Sequence, residues 1–358
     1  MNHLKKIASL LPEYDLEALL ITSGPNEFYA VGFRGEGYVL VTPEKCYYST
    51  DSRYIEAAQQ LVAGTNCELH MISGTGSHRD WAAEVCAKLG LVKIGFEESS
   101  MSVADFAALK KVFPSHVQFI PAGSLLTRLR GSKDEEELAV MRKAQAITDR
   151  AFQAILQDIK PGVPECEIAA KLTYYMMSFG AQKNSFDPIV ASGANGSMPH
   201  AIPTDKPIQK GEFVTMDFGC IWGGYCSDMT RTVAVGEPTE EMRNIYNTVL
   251  EAQLSSIALI KAGVPGIDIH QNAEKVLAQH GYAGRMGHGF GHSLGIEIHE
   301  VPGFRPANPN PMPAGAVVSA EPGIYLPGFC GVRIEDVVVV REGGCEILTK
   351  SPKELIVL

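Results

Sequence analysis

The chain has 358 residues, of which 45% are apolar and 20% are charged, and its formal net charge is −10. This length exceeds the size at which one hydrophobic core usually stops growing, so we expect two domains. A negative charge without a basic block argues against a nucleic acid partner, and no apolar run approaches the roughly 18 residues that a membrane span needs.

The N-terminal segment MNHLKKIASLLPEYD has a short apolar run that ends before any signal-peptide cleavage site, so we expect a cytoplasmic location. Eight cysteines are scattered along the chain without a C-x-x-C pair. This pattern favours reduced thiols over a disulfide scaffold or a zinc finger.

Residues 16–125 alternate between strand-like and helix-like segments. Runs of apolar, β-branched and aromatic residues predict strands in LEALLIT, YVLVTP and CYYSTD. Apolar spacing predicts helices in SRYIEAAQQLVAG and SVADFAALKKVF. We therefore predict an α/β domain over residues 1–125 and a second domain over residues 126–358.

A long helix is predicted at the start of the second domain. Ser132 followed by Glu135 has the spacing of a capping box, in which each side chain satisfies a backbone amide at the helix N-terminus. The apolar stripe of this helix consists of Leu138, Met141, Ile147, Ala151 and Ile155.

The second domain contains an internal repeat. The segment KPGVPECEI, beginning at Lys160, aligns with KAGVPGIDI, which begins 101 residues later at Lys261. The same offset relates Gly180 to Gly281, each of which ends the helix that follows. Two such halves, packed about a pseudo-two-fold axis, would share a site at their centre.

Two acids lie close together in the first half. The stretch TMDFGCIWGGYCSDMTRT predicts two strands joined by a turn, with Asp217 on one strand and Asp228 near the other. A turn centred between Trp222 and Gly223 would set the two acids opposite one another. A turn at Gly223–Gly224 would make them diagonal neighbours on the same face.

The second half supplies another pair of acids, Glu321 and Glu335, on a similar hairpin, VVSAEPGIYL…GVRIEDVVVV. Four carboxylates at one centre can be tolerated through shared protons, basic partners or bound cations. Cations account best for the number of acids, because two divalent ions about 3.5–4 Å apart form the two-metal site that activates water for hydrolysis.

A histidine ligand is expected from the glycine-rich segment GHGFGHSLGIEIHE, which holds His288, His292 and His299. A ligand set of four or five oxygens with at most one imidazole is hard. It favours Mn²⁺, with Co²⁺, Fe²⁺ or Zn²⁺ as alternatives.

These residues resemble the pita-bread metallopeptidases, the family that includes methionine aminopeptidase, aminopeptidase P and prolidase. The resemblance rests on MDFG, SDMTRT, GHGFGH, EPGIY and GVRIED and covers residues 126–358. Residues 1–125 resemble the family's creatinase-like N-terminal domain more weakly, through FYAVGF and STDSRYIEAA. The resemblance implies an α/β (α+β) fold, in which a creatinase-like domain precedes a pseudo-two-fold pita-bread domain, and a homodimer.

The resemblance also implies the site. The metal ligands would be Asp217, Asp228, His292, Glu321 and Glu335. Asp228 and Glu335 would bridge both ions, and a metal-bridging hydroxide would attack the peptide carbonyl before proline, with Glu321 as general base.

The same resemblance gives roles to five further side chains. The histidines that would serve protons and the oxyanion are His200, His288 and His299. His200 ends the stretch SGANGSMPH, which looks like the branch that cleaves Xaa-Pro bonds. Tyr325 and Arg333 would orient these groups. The substrates would be short proline-containing peptides.

One departure bears on the substrate. Prolidase-like chains commonly continue H-E-x-P-R, whereas this chain reads HEVPGFR and places Arg305 two residues later. In prolidases the arginine of this motif can bind the carboxylate of a dipeptide. Because the arginine is displaced in this chain, we expect an aminopeptidase P-like enzyme, with an Xaa-Pro dipeptidase (prolidase) as the alternative. A catalytically inactive peptide- or protein-binding module on the same fold is the alternative of another class.

Overall fold

The computed structural model describes residues 3–358 and divides into two compact units, one ending at Arg130 and the other beginning at Gly131. The boundary expected at residues 125/126 lies inside the last helix of the first unit, Gly123–Arg130. Among the described residues, no helix combines the length and the apolar character that a membrane crossing requires.

The N-terminal unit is a mixed sheet with helices. Its strands are β1 (Ala18–Ile21), β2 (Tyr38–Val41), β3 (Cys46–Asp51), β4 (Cys67–Ile72), β5 (Lys93–Phe96) and β6 (Gln118–Pro121), in the sheet order β4-β3-β2-β1-β5-β6. Its helices are α1 (Leu4–Leu10), a 3₁₀ turn (Leu11–Tyr14), α2 (Gly24–Val31), α3 (Ile55–Val62), α4 (His78–Leu89), α5 (Val103–Val112) and α6 (Gly123–Arg130). The predicted strands correspond to β1, β2 and β3, and the predicted helices to α3 and α5, which confirms those predictions.

The C-terminal unit has four α-helices and several small sheets. The helices are α7 (Glu135–Ile155), α8 (Glu165–Ser178), α9 (Glu240–Ile257) and α10 (Gly266–Gln279), with a 3₁₀ turn at Gly193–Ser197. The strands up to the middle of the unit are β7 (Lys183–Asn184), β8 (Ile189–Ser192), β9 (Glu212–Phe218), β10 (Cys220–Trp222), β11 (Tyr225–Cys226) and β12 (Met229–Val235). The later strands are β13 (Gly291–Ser293), β14 (Glu300–Phe304), β15 (Val317–Ala320), β16 (Gly323–Leu326), β17 (Cys330–Arg333), β18 (Asp336–Arg341) and β19 (Gly344–Ile347).

Helix α7 begins two residues later than its predicted cap. Asp134, not Ser132, accepts the backbone N–H of Glu137, and Glu137 returns a bond to the Asp134 backbone N–H. The Ser132 hydroxyl instead donates to the carbonyl of Ala314. The predicted capping box is therefore wrong, although the predicted apolar stripe is buried throughout.

The internal repeat is confirmed by equivalent contacts in the two halves. The loop before α8 forms a bridge between Pro164 and Pro207, and the loop before α10 forms one between Pro265 and Pro311. We call the part built on α7, α8 and β7–β12 the first half, and the part built on α9, α10 and β13–β19 the second half. One hydrophobic core lies mainly in the first half, and the other lies in the second half together with Phe213 and Ala234 of β9 and β12.

The first hairpin turns at Gly223–Gly224, both of which have positive φ, as a two-residue hairpin turn requires. The pairing of β9 with β12 sets Asp217 opposite Thr230. Of the two expected registers, the one with the acids directly opposed is wrong for this hairpin, and the one with the acids as diagonal neighbours is confirmed.

Candidate active site

A cavity of about 590 Å³ lies within the C-terminal unit. Each of the ten predicted site residues lines it: His200, Asp217, Asp228, His288, His292, His299, Glu321, Tyr325, Arg333 and Glu335. The folding of both halves therefore brings together side chains that are distant in sequence.

Three side chains form the tightest group in this cavity. Ligand atoms of Asp228, His292 and Glu335 all lie within 4.8 Å of one another. His292 Nε2 is 3.5 Å from Asp228 Oδ2 and 3.4 Å from Glu321 Oε1. Asp217 lies on β9 and accepts a hydrogen bond from Arg333 at 2.7 Å.

The acids carry like charges, and burial strengthens the repulsion between them because little water screens it. Asp228 is 3% exposed and Glu335 is 1% exposed. Burial, followed by the charge of Glu335, raises the pKa of Asp228 well above its ordinary range. Burial and the charge of Glu321 do the same to the pKa of Glu335. A site that raises the pKa of two acids in this way disfavours their anionic forms unless positive charge is supplied.

The hydrogen-bond pattern fits a cation. Within residues 3–358, Asp217 Oδ1, Asp228 Oδ1 and Glu335 Oε1 are buried without a hydrogen-bond partner. His292 Nδ1 lies 3.2 Å from the carbonyl of Ser293, which can only accept, so Nδ1 carries the proton. The neutral ring then presents the lone pair of Nε2 to carboxylate oxygens. That repulsive arrangement becomes favourable when a cation lies between them.

A second group runs from His288 to Arg333. His288 Nδ1 donates to the carbonyl of Gly289 at 2.8 Å, so Nε2 accepts from the Tyr325 hydroxyl at 2.9 Å. The same hydroxyl accepts from Arg333 at 2.9 Å. The direction of each bond is thereby fixed, and Tyr325 and Arg333 hold the His288 ring in one tautomer.

Burial lowers the pKa values of His288, His292 and His299 below the ordinary value of 6.5. The three imidazoles are therefore neutral at neutral pH. Burial also raises the pKa of Tyr325 to about 12, so this phenol keeps its proton and can donate it in a hydrogen bond.

The two other histidines of the predicted site lie at the mouth of the cavity. His200 and His299 are both exposed while lining the cavity. The His299 ring packs edge-on against His292, with ring centroids 4.4 Å apart. These two imidazoles are exposed at the cavity, whereas His288 is partly buried.

Comparison with known proteins identifies the chain. Residues 139–342 match the model of metallopeptidase family M24, and residues 3–131 match that of the creatinase/prolidase N-terminal domain. The chain belongs to metallopeptidase family M24. The predicted family, its pita-bread fold and the prediction of a metallopeptidase enzyme are confirmed, and the inactive binding module is thereby disfavoured.

Family M24 relatives span the whole chain. The uncharacterized peptidase YqhT of Bacillus subtilis is 40% identical over 99% of both chains. A solved structure named Xaa-Pro dipeptidase from Bacillus anthracis is 39% identical, covers 99% of both chains and superimposes with a TM-score of 0.94. The X-Pro aminopeptidase from Thermotoga maritima is 35% identical over 97% of this chain and 99% of its own, with a TM-score of 0.91.

Sequence reasoning missed two residues that orient the predicted ligands. The Thr230 hydroxyl donates to Glu335 at 2.7 Å and accepts from Arg333 at 3.0 Å. The Ser319 hydroxyl donates to Glu321 at 3.0 Å and accepts the backbone N–H of His292 at 2.9 Å. Thr230 directly faces a predicted ligand across β9 and β12, and Ser319 precedes Glu321 by two residues. Their positions beside acids were the available signal.

Arg305 lies nearer the site than the departure in its motif suggested. It lines the same cavity. Its charge is among the causes that lower the pKa values of His292 and His299, after burial. The two extra residues before Arg305 therefore leave it at the cavity.

Proposed function

We propose that this protein is a metal-dependent exopeptidase that hydrolyses the Xaa-Pro bond at the N-terminus of short peptides. The observation that carries the proposal is the buried cluster of acids with unpartnered oxygens, facing the lone pair of a neutral histidine at the floor of the cavity. The names of the B. anthracis and T. maritima neighbours support Xaa-Pro as the bond class.

The residues that would hold two divalent ions are Asp217, Asp228, His292, Glu321 and Glu335. When bound, the ions supply a nucleophile at neutral pH by lowering the pKa of water, and they polarise the scissile carbonyl. The oxygen-rich set with one imidazole favours Mn²⁺.

The other side chains would handle the substrate and its protons. Glu321 accepts the proton of the attacking water. His200 and His299, exposed at the cavity mouth, donate N–H bonds to the oxygen on which negative charge develops. His288 would take up at Nε2, the atom that the Tyr325 hydroxyl faces, the proton that Glu321 accepted from water, and pass it to the leaving proline nitrogen.

Arg305 favours a second candidate, cleavage of dipeptides. A guanidinium at the cavity can pair with the carboxylate that a dipeptide carries one residue after the scissile bond. A longer peptide has no carboxylate there. We therefore include Xaa-Pro dipeptides as substrates alongside the longer peptides of an aminopeptidase P-like enzyme.

The test is the release of alanine from Ala-Pro and from Ala-Pro-Ala by protein supplied with Mn²⁺. We expect the wild type to cleave at least one peptide and Asp228→Asn to cleave neither. Absence of cleavage despite two bound ions would overturn the Xaa-Pro assignment. Absence of bound metal would overturn the whole proposal.

A variant of Arg305 separates the two substrate classes. We expect Arg305→Met to lower kcat/KM for Ala-Pro by more than about tenfold, because a charge-assisted pair contributes about 1.5–3 kcal/mol. Cleavage of Ala-Pro-Ala should change little. Equal losses for both peptides would show that Arg305 does not read the dipeptide carboxylate.

A further inference from the structure

Glu165 lies outside the cavity and has no part in the roles described above, yet its side chain is the most heavily bonded carboxylate of the first half. It is the first residue of α8 and is fully buried. Its Oε1 accepts the backbone N–H of Ser192 at 2.6 Å and the Ser192 hydroxyl at 2.8 Å. Its Oε2 accepts the backbone N–H of Thr204 at 3.2 Å and the Thr204 hydroxyl at 2.7 Å.

These bonds hold together the two ends of one loop, and we call this closed end its neck. Ser192 ends β8, and Thr204 lies at the other end of the segment that follows. Asn195 Nδ2, on the inner side of the neck, lies 3.1 Å from both Glu165 oxygens. We call residues 192–204 the His200 loop. One carboxylate thus joins the two ends of this loop to the start of α8.

The far side of the His200 loop is a wall of the active-site cavity. The loop residues that line it are Pro199, His200, Ala201, Ile202 and Pro203. At this side the loop is held mainly by backbone contacts. The Arg333 guanidinium donates to the Pro199 carbonyl at 3.4 Å. The backbones of Gly196 and Gly331 pack so closely that a Cβ at Gly331 would clash with the Gly196 carbonyl oxygen.

The bonds to Glu165 constrain the loop more than ordinary surface contacts do. A buried carboxylate is tolerated only when its oxygens are fully hydrogen-bonded, so each donor at the neck has a specific place. Lys206 donates to the Ser192 hydroxyl at 2.8 Å, which leaves the hydrogen of that hydroxyl to point at Glu165. The neck therefore has one satisfied arrangement, and this arrangement fixes where His200 emerges.

We infer that Glu165 is a positioning residue for peptide hydrolysis, which acts through the His200 loop to hold His200 against the substrate. The inference rests on the proposed function for its effect on the reaction. Its structural part, the fixing of the loop by one carboxylate, is independent of which bond the enzyme cleaves.

The first test compares Glu165→Gln with the matched control Glu167→Gln. Glutamine keeps the size of the side chain but turns an N–H group toward the donors of Ser192 or Thr204. We expect kcat/KM to fall by about 10- to 100-fold, because misplacement of a catalytic group by about 1 Å can cost about 100-fold. Glu167 is exposed on the same helix and pairs with Lys171, so its variant should retain wild-type kinetics.

Metal content and thermal stability are measured on the same samples. Bound metal should be unchanged in Glu165→Gln, since no predicted ligand touches Glu165. If Glu165→Gln fails to fold, Thr204→Val removes one hydroxyl donor while keeping its shape, and Thr204→Ser restores the hydroxyl. We expect Val to lower kcat/KM and Ser to recover it.

A double-mutant cycle with His200→Ala separates positioning from general stabilisation. If Glu165 acts through His200, the double variant should be no more than about twofold slower than His200→Ala alone, since coupled sites are non-additive. Losses that multiply would overturn the inference, and so would a Glu165→Gln enzyme within about twofold of wild type.

Hydrogen exchange provides a readout that does not depend on activity. We expect amides of residues 193–203 to exchange at least about tenfold faster in Glu165→Gln, while those of β9 and β12 stay unchanged. If the wild type cleaves no Xaa-Pro peptide but the loop still loosens, the proposed function fails and the loop role survives. An unchanged loop would overturn the inference even in an active peptidase.

Discussion

In the first half of the C-terminal unit Asp217 faces Thr230, whereas in the second half the flanking pairs Ala320–Asp336 and Gly323–Arg333 set Glu321 across from Glu335. The acids are therefore diagonal neighbours in one hairpin and directly opposed in the other. The diagonal pair are aspartates and the opposed pair are glutamates. Side-chain length and strand register have changed together, so that both pairs still reach one centre.

The halves also differ at the start of their second helices. The first half places Glu165 at this point, and its carboxylate organises the His200 loop. The second half has Gly266 at the equivalent position, where Asn308 Nδ2 and the Gly303 carbonyl oxygen occupy the space. The same backbone position thus carries a hydrogen-bonded carboxylate in one half and close backbone packing in the other. The repeat determines where elements lie, and the individual side chain determines what each position does.

The largest expected effect tests whether the halves contribute equally to the metal site. Asp228→Asn and Glu335→Gln are nearly isosteric changes at equivalent places. Each should lower kcat/KM more than about a hundredfold. Mutation of a residue that merely hydrogen-bonds to a metal ligand already lowers metal affinity or activity about 10–100-fold. Metal content measured alongside activity should fall in both. Full metal content in one variant alone would show that only one half holds the ions.

A second change probes the arginine that only the second half supplies to the centre. Arg333 is 3% exposed, and its removal leaves Asp217, whose side chain is 15% exposed, without its partner. In chelator-treated protein, Arg333→Met should lower the free energy of unfolding by about 3–5 kcal/mol. The control Arg341→Met breaks ion pairs of an arginine whose side chain is 35% exposed, and it should cost less than about 1 kcal/mol. Similar costs in denaturant unfolding would contradict the special position of Arg333.

The packing difference between Glu165 and Gly266 gives a smaller effect. A Cβ added at Gly266 would lie 2.5 Å from the Gly303 carbonyl oxygen, which is backbone and cannot easily move away. Gly266→Ala should therefore destabilise the protein by about 1–3 kcal/mol, as overpacking does. Thermal unfolding measures this cost. A neutral result would mean that the second half tolerates side chains where the first half already has one.

The smallest effect concerns pH. His270 on α10 is buried, and burial lowers its pKa below 6.5, while the equivalent residue on α8 is Ala169. Below pH 6.5 the unfolded chain binds more protons at this site than the folded chain does. Stability from the neutral ring is therefore present above that pH and is lost as pH falls through the lower folded value.

His270→Ala should remove this contribution. The slope of unfolding free energy against pH, measured by urea unfolding between pH 5 and pH 7.5, should decrease by up to about 1.4 kcal/mol per pH unit. The single-residue substitution Ala169→Ser on α8 serves as the control and should leave the slope unchanged. An identical slope in His270→Ala would show that this ring does not titrate on unfolding.

The sequence predicted the central acids of the C-terminal unit better than it predicted helix ends and loops. The acids could be predicted because the repeat placed two pairs at related positions and burial of four carboxylates has few solutions. The cap of α7 could not, because Ser132 and Asp134 both precede a glutamate by three residues. A long-range bond from Ser132 to Ala314 decided between them.

Loop geometry was the other limit. The number of residues before Arg305 suggested displacement from the site, but the fold of that segment brings the side chain to the cavity. The partners of Glu165 lie 27 to 39 residues further along the chain, and no periodic pattern marks them. Manganese, a homodimer and a cytoplasmic location stay predictions.

The spread of the acids along the chain has a consequence for folding. Asp217 and Glu335 belong to hairpins in different halves, so the unfolded or half-folded chain has no cluster of ligands to offer. Ions that bind only the native chain shift its folding equilibrium by mass action, by about 2.7 kcal/mol when the free ion is at 100 times its dissociation constant. The supply of divalent metal would then determine how much of this protein survives as folded chain, as well as how fast it works.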